Sequence, residues 1–400
     1  MPTRYSRPAA LLPAWSRRTL LGTLALGGLA ACAGGRSLAT PGPGRQALVY
    51  FGMHGSQIHA ARFNSATGAL TMIGAVAEQS APTWGIRHPA ADLVYYVRED
   101  GNDGSRSGAV AAYRIDRATG GLGLVGETIA QGGGTTHLHL DVPSMTLIAA
   151  NFGGSTVCTI PVLTNGALGE VSSVLVEHGS GPMKRQSYSH PHGVVVDPTG
   201  NFVLVPDLGA DRIFVHRFDR AGRALRYDRP DEELDYIAAP GSGPRHVLFH
   251  PNGRIMFALT ELTGELLTFQ WDGATGALRL TDARSTSSSG FAGERSASEL
   301  AISADGTILY LTDRGENTIV VHAIDPETGK LTFLQRIACG GEFPWHFAIA
   351  PSGSWMLVAN ERSNRIEVFS IDAATGHVAP TRNGLDMPRP VHILFAGEIA

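Results

Sequence analysis

The chain has 400 residues, with 36 acidic and 32 basic side chains, a formal net charge of −4 and 49 glycines. A small net charge with no basic cluster argues against a nucleic-acid partner. An apolar share of 43% spread in regular short runs excludes a disordered chain and points to a turn-rich globular fold. Four hundred residues leave room for two or three domains, but all-β folds run long as single units.

Taken in chain order, the first segment stands apart from the rest. Ser16-Arg17-Arg18-Thr19-Leu20-Leu21 is a twin-arginine pattern, and the apolar run from Leu20 to Ala31 follows it. That run is too short to span a bilayer and carries a basic leader, so it reads as an export signal. It ends in Leu29-Ala30-Ala31-Cys32, small residues before a cysteine, which resembles a bacterial lipoprotein box with Cys32 as the lipidated residue. The alternative is a plain cleaved signal with an incidental cysteine. Residues 1–32 are therefore expected to be a signal with a lipoprotein box and 33–45, rich in Gly and Pro, a flexible tether. The protein is expected in the periplasm, touching a membrane only through the lipid at Cys32.

From residue 46 onward one unit is repeated. Pro191-His192-Gly193-Val194-Val195-Val196-Asp197-Pro198-Thr199-Gly200 reads as a strand and a turn, and the pattern returns at Pro244-Arg245-His246, at Ser298-Glu299-Leu300 and at Pro344-Trp345-His346. Each unit also holds a glycine turn before a Leu-rich strand. The turn glycines are Gly68, Gly120, Gly166, Gly222, Gly276, Gly329 and Gly376, spaced 46 to 56 residues apart. A period near 50 with four short strands per unit predicts an all-β, seven-bladed β-propeller over 46–400. The first unit lacks its opening strand, since Gln46-Ala47-Leu48-Val49-Tyr50-Phe51 matches a second strand. Pro390-Val391-His392-Ile393-Leu394-Phe395-Ala396 is an orphan opening strand, so the C-terminal strand should complete the first blade and close the ring. Cys158 and Cys339 are expected to be unpaired thiols, and no Cys/His spacing suggests zinc.

In such a ring the start of each first strand and the loop after each second strand share one face. Aligned this way, one position reads Thr83, His137, His192, Arg245, Ser298, Trp345, Val391 and the next Trp84, Leu138, Gly193, His246, Glu299, His346, His392. The loop after the second strand reads Met53, Phe152, Leu208, Glu261, Arg314, Glu361. Glu261 and Arg314 break an apolar series there. Arg245, His192, His246, Glu299 and His346 gather at the same mouth. One reading is a wet channel of mutually bonded polar groups. The other is a site for an anionic, carbonyl-bearing ligand, which two Arg, a Glu and several His would suit. Long connections over residues 98–107, 177–189 and 285–297 crowd this face. Lys184 and Arg185 either add charge at the mouth or belong to a solvated loop.

These residues resemble the seven-bladed lactonase family, which includes propeller-type 6-phosphogluconolactonases and fungal carboxy-cis,cis-muconate cyclases. The likeness spans about Gln46 to Phe395 and is strongest in Ser189-His190-Pro191-His192-Gly193, Gly241-Ser242-Gly243-Pro244-Arg245-His246, Thr260-Glu261-Leu262 and Thr312-Asp313-Arg314-Gly315. The resemblance implies a lactone hydrolase with His192, Arg245, Glu261 and Arg314 as the catalytic set, and the ring positions add His246, His346, Trp345 and Glu299 as substrate contacts. Arg245 is expected on the oxyanion and Arg314 on a substrate hydroxyl or acid group. His192 is expected as general base, with Glu261 orienting it or sharing its role. No metal and no cofactor are required. Trp345 stands where many members have Arg, and Glu361 where a Gln-like residue is usual; with the export signal, both favour an unphosphorylated sugar lactone. A muconate-type cyclisation, or an exported propeller that binds sugar or serves as a scaffold without catalysis, are the alternatives.

Overall fold

Strands mostly of six to nine residues, the inner ones buried on both faces and the outermost largely exposed, are separated by turns rich in Gly, Asp and Asn. The computed structural model describes residues 45–226 and 234–399, so the expected export signal and Cys32 lie outside the described residues. Apart from one 3-10 turn at Lys184–Gln186, the named elements are strands. They form seven antiparallel sheets, the blades of a β-propeller.

Blade 1 orders Pro390–Ile399, Gln46–Met53, Gln57–Asn64 and Leu70–Glu78, and blade 2 runs from Gly85–Arg87 through Leu93–Arg98 and Ala109–Ile115 to Leu122–Ile129. Blade 3 comprises Thr135–Asp141, Thr146–Asn151, Thr156–Pro161 and Ser173–Val176. Blade 4 comprises Val195–Val196, Phe202–Asp207, Arg212–Asp219 and Ala224–Arg226, with Tyr236–Ile237 added to its third strand. Blade 5 holds Pro244–Phe249, Ile255–Thr260, Glu265–Asp272 and Ala277–Ser285. Blade 6 holds Ala297–Ile302, Ile308–Asp313, Thr318–Ile324 and Leu331–Ala338, and blade 7 Pro344–Ile349, Trp355–Asn360, Arg365–Ile371 and Val378–Asp386.

The core is divided among the blade interfaces. Along Gln46–Met53, the side chains Ala47, Val49 and Phe51 pack toward blade 7, while Leu48 and Tyr50 pack toward blade 2. Alternate residues thus serve opposite neighbours, which is why such strands read as unbroken apolar runs. The same division recurs at every interface around the ring. The turn glycines do more than turn. Six of them, Gly68, Gly120, Gly166, Gly276, Gly329 and Gly376, have φ between 70° and 83°, and in blade 4 Arg223 takes that role at 52°. A Cβ on Gly120 would lie 2.6 Å from Ile73 of blade 1, and one on Gly376 2.7 Å from Ile308 of blade 6. These turns therefore also seat each blade on the one before it. Cys158 and Cys339 are buried and unpaired. Burial pushes their thiols up to about 12 and about 11.

Closure is as expected. Pro390–Ile399 pairs antiparallel with Gln46–Met53, placing Leu394 opposite Tyr50 and His392 opposite Gly52. The register also corrects two of the sequence alignments. Where first strands open, one residue bulges out of the ladder: Pro244 faces Thr260, but His246 already faces Leu259. The same slip occurs between Thr135 and His137 and between Pro344 and His346. Bulges of this kind re-aim a side chain, so Arg245 and Trp345 leave the ladder, and their match in blade 3 is Thr136, not His137. In blade 1 Met53 faces Pro390 as Asn360 faces Pro344, so the counterpart of Glu361 is His54, not Met53. In blade 2 Arg98 pairs with Ala109 as Thr260 pairs with Glu265, which makes Glu99 the counterpart of Glu261.

The closing strand is expected to be indispensable. A chain ending at Met387 exposes an edge of blade 1 and should aggregate or lose its cooperative unfolding transition; a soluble monomer with an unchanged melting midpoint would contradict this.

Candidate active site

The site is built around Glu261, which follows the second strand of blade 5 and is 3% exposed. Three guanidinium groups converge on its carboxylate. Arg185 Nη1 donates to Oε1 at 2.5 Å, Arg314 Nη2 lies 2.8 Å from Oε2, and Arg245 Nε donates to Oε2 at 3.1 Å. Burial alone would push this carboxyl up, but Arg314, Arg185 and Arg245 together hold it well below the usual carboxylate range. A buried carboxylate is tolerated because it is paired on both oxygens. His192 Nε2 lies 3.8 Å from Oε2, beyond hydrogen-bond reach, and its buried Nδ1 has no partner. Burial, then Arg245 and His246, drive this imidazole well below its ordinary pKa, so it is neutral at pH 7.

The three arginines differ in what they face. Arg245 and Arg314 are both buried; the Arg245 Nη1 donates to the Ser298 carbonyl, and burial brings this group down to about 10, still a cation at neutral pH. Arg314 lies at the edge of an open cleft of ≈ 590 Å³, which is also lined by Arg185, Glu261, Trp345, His54 and Glu361. Its guanidinium sits 4.8 Å from the Trp345 ring and 5.0 Å from Phe343. Its buried Nε has no partner. Arg185 comes from the connection into blade 4, which resolves the two readings of that loop: Lys184 and Arg185 are both exposed, but Arg185 reaches Glu261 at the mouth. The connection is held by Gln186, whose Nε2 donates to Leu208 O at 2.8 Å and to Asp211 Oδ1 at 2.6 Å. Asp211 also accepts from the backbone of Gly241 and Gly243, just before Arg245.

Three of the four expected substrate contacts lie elsewhere. His246, Glu299 and His346 are buried beneath the cleft, around a cavity of ≈ 10 Å³, room for about one water. They belong to a plug centred on Trp84, whose ring centroid lies 4.1 Å from His137, 5.4 Å from His246, 5.3 Å from His346 and 4.8 Å from His392. Burial brings His346 and His392 down to about 3, so these rings are neutral packing groups that close the channel. Trp345 alone of the four lines the open cleft. The remaining anomaly, Glu361, is neutralised: Arg389 Nε donates to it at 2.7 Å and His54 Nδ1 lies 3.2 Å away. Sequence reading missed His54, Glu99, Thr136 and Arg389 as lining groups; the first three stand at ring positions displaced by the register slips or left unaligned.

A family model described as "Lactonase, 7-bladed beta-propeller" matches residues 49–395. A 6-phosphogluconolactonase of Sodalis glossinidius is 30% identical over 81% of this chain and 91% of that protein. A probable 6-phosphogluconolactonase of Arthroderma benhamiae is 29% identical over 88% and 90%. Among solved structures, the periplasmic gluconolactonase of Pseudomonas aeruginosa superposes with a TM-score of 0.81 at 31% identity, covering 88% of this chain and 99% of that one.

Removing Glu261 leaves Arg245 and Arg314 buried without the carboxylate that bonds them both. Glu261→Ala should therefore lower unfolding free energy by about 3–5 kcal/mol, measured by denaturant titration. A loss under 1 kcal/mol would show that the cluster is not held by this carboxylate.

Proposed function

We propose that this chain, which belongs to the seven-bladed β-propeller lactonase family, opens a sugar lactone to its aldonic acid by attack of water at the mouth formed around Glu261. It is a hydrolase of lactones. The observation that carries the proposal is the three-arginine cluster on one buried carboxylate, beside a neutral histidine, at the edge of a cleft large enough for a sugar.

Lactone hydrolysis needs a base for water and donors for the oxyanion that forms on the carbonyl. Neutral His192 has an unspent nitrogen and is the base. Glu261 is a poor base because its proton affinity is depressed, so its part is to hold the arginines in place. The oxyanion falls to Arg314, which faces the cleft and has an unspent Nε–H, with Arg185 beside it. This differs from the sequence expectation, which gave that place to Arg245. Both arginines are bonded to Glu261 and to a backbone carbonyl, Ala297 for Arg314 and Ser298 for Arg245, but only Arg314 lines the cleft, whereas Arg245 borders the one-water cavity beneath it. Trp345 offers a flat face for the sugar ring.

Within this class, an unphosphorylated aldonolactone suits the site best. The bulged position of blade 7 presents the flat ring of Trp345 to the cleft, and the similar Pseudomonas aeruginosa protein is described as a periplasmic gluconolactonase; Arg362 and Arg389 also line the cleft and are the groups a phosphate would meet. The twin-arginine pattern and Leu29-Ala30-Ala31-Cys32 support export and anchoring by lipid at Cys32.

Glucono-1,5-lactone should be turned over in EDTA above its spontaneous opening, and faster than its 6-phosphate; preference for the phosphate would reassign the substrate, and no turnover of either would remove the proposal. Arg314→Ala should reduce kcat by roughly 100–1,000-fold with the fold intact; retained activity would exclude Arg314 from the reaction. Because His192 is held neutral, kcat/KM should persist as the pH falls through 6.5 and decline only below it; an acid limb centred at or above 6.5 would mean a different base.

A further inference from the structure

A second carboxyl group faces the same mouth from the opposite side of the ring. Glu99 follows the second strand of blade 2, at the ring position that Glu261 holds in blade 5. It lines a recess of ≈ 180 Å³ together with His192, Glu261, Arg314 and Trp345, and it borders the one-water cavity that also touches His192 and Arg245. The two carboxyls have opposite surroundings. Glu261 is held by three guanidinium groups. Glu99 is bonded by the Thr83 hydroxyl and by Asn102 Nδ2 at 2.9 Å, and among the described residues no Lys or Arg forms an ion pair with it. Arg98, its neighbour in sequence, is turned to Glu127 at 2.9 Å and Asp100 at 3.5 Å.

We propose that Glu99 is a catalytic residue, the general acid that delivers a proton to the ring oxygen as the lactone opens. The proposal rests on the lactonase reading above. His192 takes one proton from water as its oxygen bonds to the carbonyl carbon. The tetrahedral oxyanion then collapses, the bond from that carbon to the ring oxygen breaks, and the electron pair left on the ring oxygen takes the proton of the Glu99 carboxyl. The products are a hydroxyl and a carboxylic acid, which ionises. The proton on His192 returns through solvent to Glu99, so the net reaction consumes one water and releases one proton. An alkoxide is a poor leaving group, and a positioned acid typically contributes 100- to 10,000-fold.

The environment suits that role. Burial raises the Glu99 carboxyl above its ordinary range, against the bonds from Thr83 and Asn102. A protonated carboxyl can still satisfy Thr83, since a hydroxyl both donates and accepts. Two carboxyls whose surroundings separate their proton affinities are the usual mark of divided acid and anion roles. The other titratable or charged groups around the mouth are His54 from blade 1, Arg98 and Asp100 beside Glu99 itself, His192 and Arg185 on the side of blade 4, and Glu261, Glu294, Arg314, Glu361, Arg362 and Arg389, with Arg245, His246, Glu299 and His346 around the one-water cavity below. Blade 3 contributes Thr136 and Phe152, which do not titrate.

The test is Glu99→Gln, which preserves the shape and the acceptor for Thr83 or Asn102 but has no proton to give. With glucono-1,5-lactone, kcat should fall at least 100-fold while KM, gluconate affinity and the melting midpoint stay near those of the parent. The alkaline limb of the parent's pH profile, where the acid loses its proton, should vanish in the variant. Glu99→Asp should recover part of the rate. Unchanged kcat in Glu99→Gln would overturn the proposal. So would a loss matched by weaker gluconate binding and a lower melting midpoint, which would assign Glu99 a structural part. A parent protein inactive on every sugar lactone would instead overturn the lactonase reading itself.

Discussion

Everything at the mouth of this propeller depends on how one buried carboxylate is neutralised. Glu261 cannot be ionised in that position without partners, and its partners cannot be packed so closely without it. Arg245 comes from the same blade, Arg314 from the next and Arg185 from the connection that enters the preceding blade. The carboxylate thus fixes the positions of three cations, one of which, Arg314, borders the cleft and keeps a buried donor unspent. Its own proton affinity is depressed as a consequence, which removes it as a base and leaves that work to a histidine whose charge is suppressed by burial and by Arg245.

The fold makes this possible because each blade contributes one side chain at each ring position. A site assembled in this way has no local sequence signature. It exists only if the ring is closed, and closure rests on the pairing of the last strand with Gln46–Met53. Beneath the site, Trp84 and the surrounding histidines fill the channel, giving the cleft a floor and keeping bulk water from entering behind the arginines. A dry rear wall strengthens charge interactions at the mouth.

The architecture was largely legible in the sequence. The repeating glycine turns and the displaced opening strand specify seven blades and their closure, because both signals come from backbone requirements that few residues meet. The clustering of His192, Arg245, Glu261 and Arg314 was also legible, since charged residues interrupt apolar ring positions. Depth was not. A one-residue bulge at the start of a first strand sends Arg245 up to the carboxylate and its neighbour His246 down into the plug, and alternation along a strand cannot reveal where such a bulge falls. The same slip hid His54 and Thr136. Arg185 was ambiguous because its position is set by Gln186 and Asp211, contacts between segments distant in sequence. Glu361 read as a group opposing phosphate, whereas Arg389, brought beside it from the closing segment, neutralises it.

The central claim is that the face of the Glu261 cluster turned to the cleft is where the lactone carbonyl reacts. A crystal structure of the propeller, residues 46–400, with the open-chain aldonate bound tests it most directly. The account predicts the product carboxylate at about 2.7–2.9 Å from the Arg314 guanidinium, the sugar chain against Trp345, and Glu261 still holding Arg185 and Arg245. An aldonate bound away from Arg314, or one that displaces Glu261 to reach Arg245, would contradict it.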